Sequence, residues 1–166
     1  MISPLQPAEL LRALQQHNVA FVVIGGFALS AHGVVRGTKD VDIVPEPSFA
    51  NLRRLGDALE SIDARVDLKD LDPEELGIKP DAEGLAAGGN WVLATRFGLL
   101  DVLQTVAGVS GYQSLCDSAL AVPVPDVDEP VLFAGYDHLI AMKSAAGRDR
   151  DLVDIDDLRR ARGEID

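Results

Sequence analysis

Two rhythms of apolar side chains alternate along the first third of the chain, one helical in period and one the short continuous run of a buried strand. In "SPLQPAELLRALQQHNV", Leu5, Leu10, Leu11 and Leu14 can form one stripe of a helix opened by Ser3 or Pro4. "AFVVIGG" is a short apolar run ended by glycines, the pattern of a buried strand. "GFALSAHG" allows about two helical turns with Gly33 as the stop, and "KDVDIVPE" is the next strand, closed by Pro45 and Pro47. "SFANLRRLGDALESI" predicts a helix capped by Ser48, with Phe49, Leu52, Leu55, Leu59 and Ile62 turned inward.

Residues 63–90 are charged and glycine-containing, and predict a short strand near Arg65–Leu68 followed by loops or short helices. "WVLATRFGLLDVLQTV" reads as a hairpin around Phe97-Gly98. A short helix is expected in "GYQSLCDSAL" and short, proline-broken strands in "AVPVPDVDEPVLFAGY". "DHLIAMKSAAGRDRDLVDIDDLRRARGEI" predicts two helices with Gly147 between them. No repeat, low-complexity tail or dividing linker interrupts this order, so residues 1–166 are expected to form a single domain.

The puzzling element is "DVDIV". Side chains on a strand alternate faces, so Asp40 and Asp42 point the same way while Val41 and Ile43 point to the core. Two ionised carboxylates on one face repel, and a divalent cation resolves the conflict. Mg²⁺ takes oxygen ligands, commonly one or two carboxylates plus substrate phosphates. Asp101, isolated among Leu99, Leu100, Val102 and Leu103, is a third acid in a strand setting; pairing the hairpin beside "DVDIV" would bring the three together. Upstream, Gly25-Gly26 ends a strand and opens a helix, where backbone can approach a phosphate closely. Each feature alone has an ordinary reading: glycine pairs make turns, and a D-x-D strand can be a solvent-facing edge. The ordered set is more specific.

Composition narrows the setting. At 47% hydrophobic residues the chain is globular, and no apolar run approaches the roughly 20 residues of a membrane span. The start of the chain has no basic stretch leading into an apolar one, so a cytoplasmic location is expected. A single cysteine, Cys116, excludes an internal disulfide or a cysteine-based zinc cluster, and His17, His32 and His138 are too scattered for a ligand set. The formal net charge of −12, from 27 acidic and 15 basic residues, argues against a broad nucleic-acid surface but not against a small basic cleft.

Gly25-Gly26, then Asp40-x-Asp42, then Asp101 resembles the nucleotidyltransferase superfamily typified by DNA polymerase beta. More narrowly, "VIGGFALSAHGVVRGTKDVDIV" and "LIAMKSAAGRDRDLVDIDDL" resemble small bacterial nucleotidyltransferase-like proteins related to abortive-infection toxins of the AbiEii type. The resemblance runs from about Phe21 to Leu158. It implies an α/β (α+β) fold: a mixed, mostly antiparallel sheet carrying the acids, helices packed on one side, and C-terminal helices closing the cleft. It also implies Asp40, Asp42 and Asp101 as catalytic metal ligands for two Mg²⁺ ions, with Asp101 helping to activate the attacking hydroxyl. Gly25 and Gly26 would hold nucleotide, although many members carry Gly-Ser and the serine hydroxyl is missing here. Lys143 matches a later lysine near the nucleotide phosphates, and either Asp151 or Asp154 a terminal acid. Read from the residues alone, Lys143 could equally be a solvated helix position and "RDRDLVDIDD" an exposed, salt-bridged face.

Arg36, Thr38 and Lys39 are candidates for phosphate or substrate contact at the cleft mouth, or a polar loop leading into the strand. Trp91 and Phe97 are expected to pack the hairpin rather than stack a base. His32 is expected to end a helix without a chemical role. The resemblance implies an NTP as donor and a tRNA, a protein or a small molecule such as an aminoglycoside as acceptor. Its alternative is a binding module, one half of a toxin–antitoxin or other regulatory pair with a protein partner.

Overall fold

A computed structural model describes residues 2–166. Its element order is α1 (Pro7–Gln16), β1 (Phe21–Ile24), α2 (Gly25–Ala31), β2 (Asp40–Pro45), α3 (Phe49–Ser61), β3 (Arg65–Val66), α4 (Ala82–Ala86), β4 (Asn90–Thr95), β5 (Gly98–Leu103), α5 (Tyr112–Asp117), β6 (Leu120–Val122), β7 (Val131–Phe133), α6 (Tyr136–Ala146) and α7 (Asp149–Ala161). The strands form one sheet in the order β3-β4-β5-β2-β1-β7-β6. β2 lies parallel to β5 and β1 parallel to β7, and the remaining neighbours are antiparallel. This is the mixed, mostly antiparallel α/β arrangement that the sequence predicts.

Alternation along β2 and β5 separates two faces. Val41, Ile43, Leu100 and Val102 are buried and join one core with Leu10 and Leu14 of α1 and Leu52, Leu55 and Leu59 of α3. The intervening positions carry Asp40, Asp42 and Asp101 on the other face. Leu139, Met142 and Lys143 of α6 line the cleft over that face, so a C-terminal helix walls in the acids. Gly147 separates α6 from α7 in the left-handed region (φ 63°), and its N–H donates to the Lys143 carbonyl at 2.9 Å.

The first helix begins later than the sequence suggests, at Pro7 rather than Ser3 or Pro4. Pro7 takes the first helical position, where its missing N–H costs nothing. The residues before it are bound to the hairpin instead: the Gln6 N–H donates to the Phe97 carbonyl at 2.8 Å. Leu5 sits so close to Gly98 (φ 102°) that a Cβ there would lie 2.7 Å from the Leu5 Cα.

Phe49 also departs from expectation. It is exposed in the first turn of α3, while Asn51 is fully buried. The Asn51 side chain accepts from the Ala20 N–H at 2.8 Å and donates to the Ala20 and Glu46 carbonyls at 2.9 and 2.8 Å. A polar residue thus holds the chain ends flanking β1 and β2, a role that apolar periodicity does not reveal. Ser48 caps the helix by accepting from the Asn51 N–H at 3.2 Å.

Candidate active site

Strand register assembles the acids. Asp42 is the direct partner of Ile24 across β1 and of Asp101 across β5, and Asp40 lies two residues along on the same face. One carboxylate oxygen from each of Asp40, Asp42 and Asp101 lies within 4.8 Å of the others. The parallel β2–β5 pairing, which the sequence only permits, makes this convergence possible.

Gly25 is fixed by the same geometry. Its φ is +73°, and a Cβ on it would come 2.0 Å from Asp42 Oδ2. No side chain fits between strand β1 and the acid. At Gly26 a Cβ would meet the Thr38 Cβ at 2.8 Å, so the second glycine lets residues 32–39 fold back over α2. Thr38 holds that segment further by donating to the Asp40 carbonyl at 2.9 Å.

The electrostatics of the triad are those of crowded anions. Removal from water, then the charges of Asp40 and Asp101 and a hydrogen bond with Asp101, push the Asp42 carboxyl up from 3.8 to about 7, against a smaller opposing effect of Lys143. Asp101 is pushed up to about 6, chiefly by removal from water and by Asp40, while its hydrogen bond with Asp42 works the other way. Asp101 Oδ1 is buried without a hydrogen-bond partner. An unpartnered buried carboxylate oxygen in a cluster of three carboxylates, an all-oxygen donor set, fits a divalent cation. The three acids are therefore able to hold a metal ion.

The cleft around them has a volume of about 590 Å³. Gly25, Gly26, Arg36, Thr38, Lys39 and Lys143 all line it, so every nucleotide-site candidate from the sequence meets the acids in one cavity. The sequence reading missed Arg148 and Arg150, which line it too. Both sit in a run of alternating charge that reads as a solvated helix; their position directly after Gly147 was the available signal. The apolar part of the lining, including Leu103, Val106, Leu139 and Met142, carried no sequence signal beyond that of core.

The reading of α7 as an exposed, salt-bridged face is corrected at two positions. Asp151 and Asp154 are buried. Lys143 Nζ reaches both, at 3.4 Å from Asp151 Oδ1 and 2.9 Å from Asp154 Oδ2. The lysine sits between the two acids that the resemblance offers as the terminal acid. Asp151 also receives Arg148 Nε at 2.6 Å and Nη2 at 3.2 Å, and this guanidinium contact holds its carboxyl down at about 2. Arg36 is ion-paired with Asp154.

The aromatic residues lie elsewhere. Val92 is the partner of Asp101, which puts Trp91 on the opposite face, where it packs near Gly84 of α4. Phe97 is in the hairpin turn beneath the Arg96 guanidinium, 5.0 Å from the ring centroid. His32 caps the C-terminus of α2, and its Nε2 is 2.8 Å from the Ala134 carbonyl.

No protein-family model and no curated protein sequence matches the chain. Solved structures do. ANT(2")-Ia, crystallised with adenylyl-2"-tobramycin, is 14% identical with a TM-score of 0.57, over 92% of this chain and 84% of that one. The lincosamide antibiotic adenylyltransferase LnuA, lincomycin-bound, is 15% identical with a TM-score of 0.51, over 96% and 99%. TM1012 from Thermotoga maritima, a candidate nucleotidyltransferase, is 13% identical with a TM-score of 0.50, over 98% of each chain. Sheet order, acid placement and these likenesses agree that the chain has the nucleotidyltransferase fold.

Proposed function

We propose that this cleft transfers a nucleoside monophosphate from a nucleoside triphosphate to an acceptor hydroxyl, releasing pyrophosphate. The observation that carries the reading is the convergence of Asp40, Asp42 and Asp101 on one open face beside Gly25. In this reading Asp40, Asp42 and Asp101 would hold Mg²⁺, two ions being the expected number, and Asp101 would face the acceptor. Bound metal supplies charge neutralisation on the phosphates and lowers the pKa of the acceptor hydroxyl.

The chain's own residues do the rest. Gly25 brings backbone close to the phosphates, and Arg36, Lys39 and Lys143 offset the triphosphate charge. Asp101 accepts the acceptor's proton on a carboxylate oxygen as the acceptor oxygen bonds to the α-phosphorus. The bond from that phosphorus to the β-phosphate oxygen breaks in line, and pyrophosphate leaves. Positioning and electrostatic stabilisation provide most of the acceleration in such transfers.

The acceptor class is the open variable. ANT(2")-Ia carries an adenylylated aminoglycoside and LnuA a lincosamide in their structures, so small hydroxyl compounds stand beside tRNA and protein as candidates. The test is incubation with α-labelled NTPs and Mg²⁺ in a cell extract, followed by separation of RNA, protein and small-molecule fractions. Label in one fraction that disappears with Asp101→Asn supports the transferase. No label anywhere, with tight binding of a protein partner unaffected by Asp101→Asn, replaces it with the binding-module reading of a toxin–antitoxin or regulatory pair.

A further inference from the structure

Two buried carboxylates have no part in the proposed chemistry. Asp151 has no exposed surface and Asp154 retains 3%. An ionised carboxylate out of water needs compensating charge. The two are compensated differently. Asp151 is served mainly by its own helix terminus: Arg148 donates to it from both guanidinium and backbone, the latter at 3.1 Å, closing the first turn of α7. Asp154 instead joins three separate elements. It lies on α7, faces Lys143 of α6 at 2.9 Å, and is paired with Arg36 from residues 32–39.

Residues 32–39 cross the cleft mouth, with Val35 fully exposed and Arg36, Gly37, Thr38 and Lys39 lining the cavity. The Arg36–Asp154 pair ties this segment to α7. The Lys143–Asp154 contact has a second property. Asp154 Oδ2 is buried and accepts no aligned hydrogen bond, although the ammonium is close. The lysine stands between two carboxylates and also lines the cavity, so Asp154 holds it at the cleft wall.

We infer that Asp154 is a positioning residue that fixes Arg36 and Lys143 as a two-pronged cationic clamp for the triphosphate. The inference rests on the proposed transferase reading of this cleft. It makes a prediction that through-space charge reverses. Neutralising Asp154 leaves the cleft more positive, which alone would tighten binding of a polyanion. Loss of positioning weakens it, because each prong is freed to adopt other rotamers.

The experiment is calorimetric titration with Mg²⁺–tripolyphosphate, a probe without base or sugar, and with the four Mg²⁺–NTPs. Proteins compared are wild type, Asp154→Asn, Asp154→Glu, Arg36→Gln and the Asp154→Asn/Arg36→Gln pair. Asp154→Asn is expected to weaken both ligands by about ten-fold or more, equivalent to about 1.4 kcal/mol. Arg36→Gln is expected to do the same, the double variant to be little worse than either single one, and Asp154→Glu to recover part of the loss. In transfer assays the effect should fall on KM more than on kcat.

Unchanged or tighter binding in a folded Asp154→Asn protein overturns the inference, leaving Asp154 as a structural ion-pair partner. If Asp154→Asn does not fold, Arg36→Gln decides, since Arg36 lies at the cleft mouth and is partly exposed: unchanged affinity there overturns the clamp. A wild type that binds no Mg²⁺–NTP overturns the transferase reading and this inference together. A wild type that binds, with variants that bind equally well, overturns this inference alone.

Discussion

Replacing Asp42 by Asn should stabilise the metal-free protein while removing its activity. The side chain keeps its size and can still hydrogen-bond to Asp101, but one of three clustered negative charges is gone. With carboxylate oxygens within 4.8 Å of one another, each pairwise repulsion is about 1 kcal/mol in fully aqueous surroundings and about 3.5 kcal/mol at an effective dielectric of ~20. The cleft is open to water and Lys143 offsets part of the repulsion, so a gain of about 1–2 kcal/mol is expected. For a domain of this size that is a rise in Tm of roughly 2–8 °C.

The pH dependence shows whether the gain comes from the Asp42 charge, which burial disfavours first and Asp40 and Asp101 disfavour second. The Asp42 carboxyl moves from 3.8 to about 7 on folding. Below about pH 4 it is protonated in both states and contributes no difference. Between about pH 4 and 7 the unfolded chain has lost the proton that the folded one still holds, so wild-type stability declines as pH rises, then levels off. The advantage of Asp42→Asn should therefore be small at pH 4.5, grow to about pH 7 and stay constant above. Thermal unfolding in EDTA across that range measures it. A variant less stable than wild type at pH 8 would mean that the acids are held by attractive partners, and an advantage independent of pH would mean that it does not come from the Asp42 charge; either result refutes the repulsion argument.

Further outcomes follow from individual contacts. Asp101→Asn should retain measurable Mg²⁺–NTP binding yet lose nucleotide transfer by at least about 100-fold, the low end of a general base contribution, in a single-turnover assay. Asp42→Asn should greatly weaken Mg²⁺–NTP binding in calorimetry, because it removes a ligand from the pair on β2. Gly25→Ala should destabilise by about 1–2 kcal/mol from its positive φ alone and more from the collision with Asp42, read as a lower urea midpoint and lost metal binding. Asn51→Ala should cost about 1–3 kcal/mol in urea unfolding, because it removes the side-chain partner of the Ala20 N–H and the Glu46 carbonyl, both in half-buried residues.

Much of this was readable from the chain because one local rule governed each element. The period-two alternation of "DVDIV" set the acids on one face, and the same alternation around Asp101 did so on β5. What alternation cannot supply is which strands become neighbours, and the parallel pairing of β2 with β5 decides the site. The α6–α7 charges were legible as charges but not as burial. Lys143, Asp151 and Asp154 follow helical spacing that suits a solvated face equally well, and only packing of α7 against α6 and residues 32–39 makes them a buried cluster. Asn51 and Gln6 were opaque for a related reason. Each satisfies backbone groups distant in sequence, and hydrophobic periodicity carries no information about those partners.

The central claim, that the triad and the glycine turn hold a metal-bound triphosphate, is tested most directly by a crystal structure grown with Mn²⁺ and a non-hydrolysable NTP analogue. The account predicts anomalous density between the carboxylates of Asp40, Asp42 and Asp101, with the phosphates beside Gly25 and Lys143 and the α-phosphorus facing Asp101. Nucleotide bound elsewhere on the protein, or no metal at the three carboxylates under saturating ligand, would contradict it.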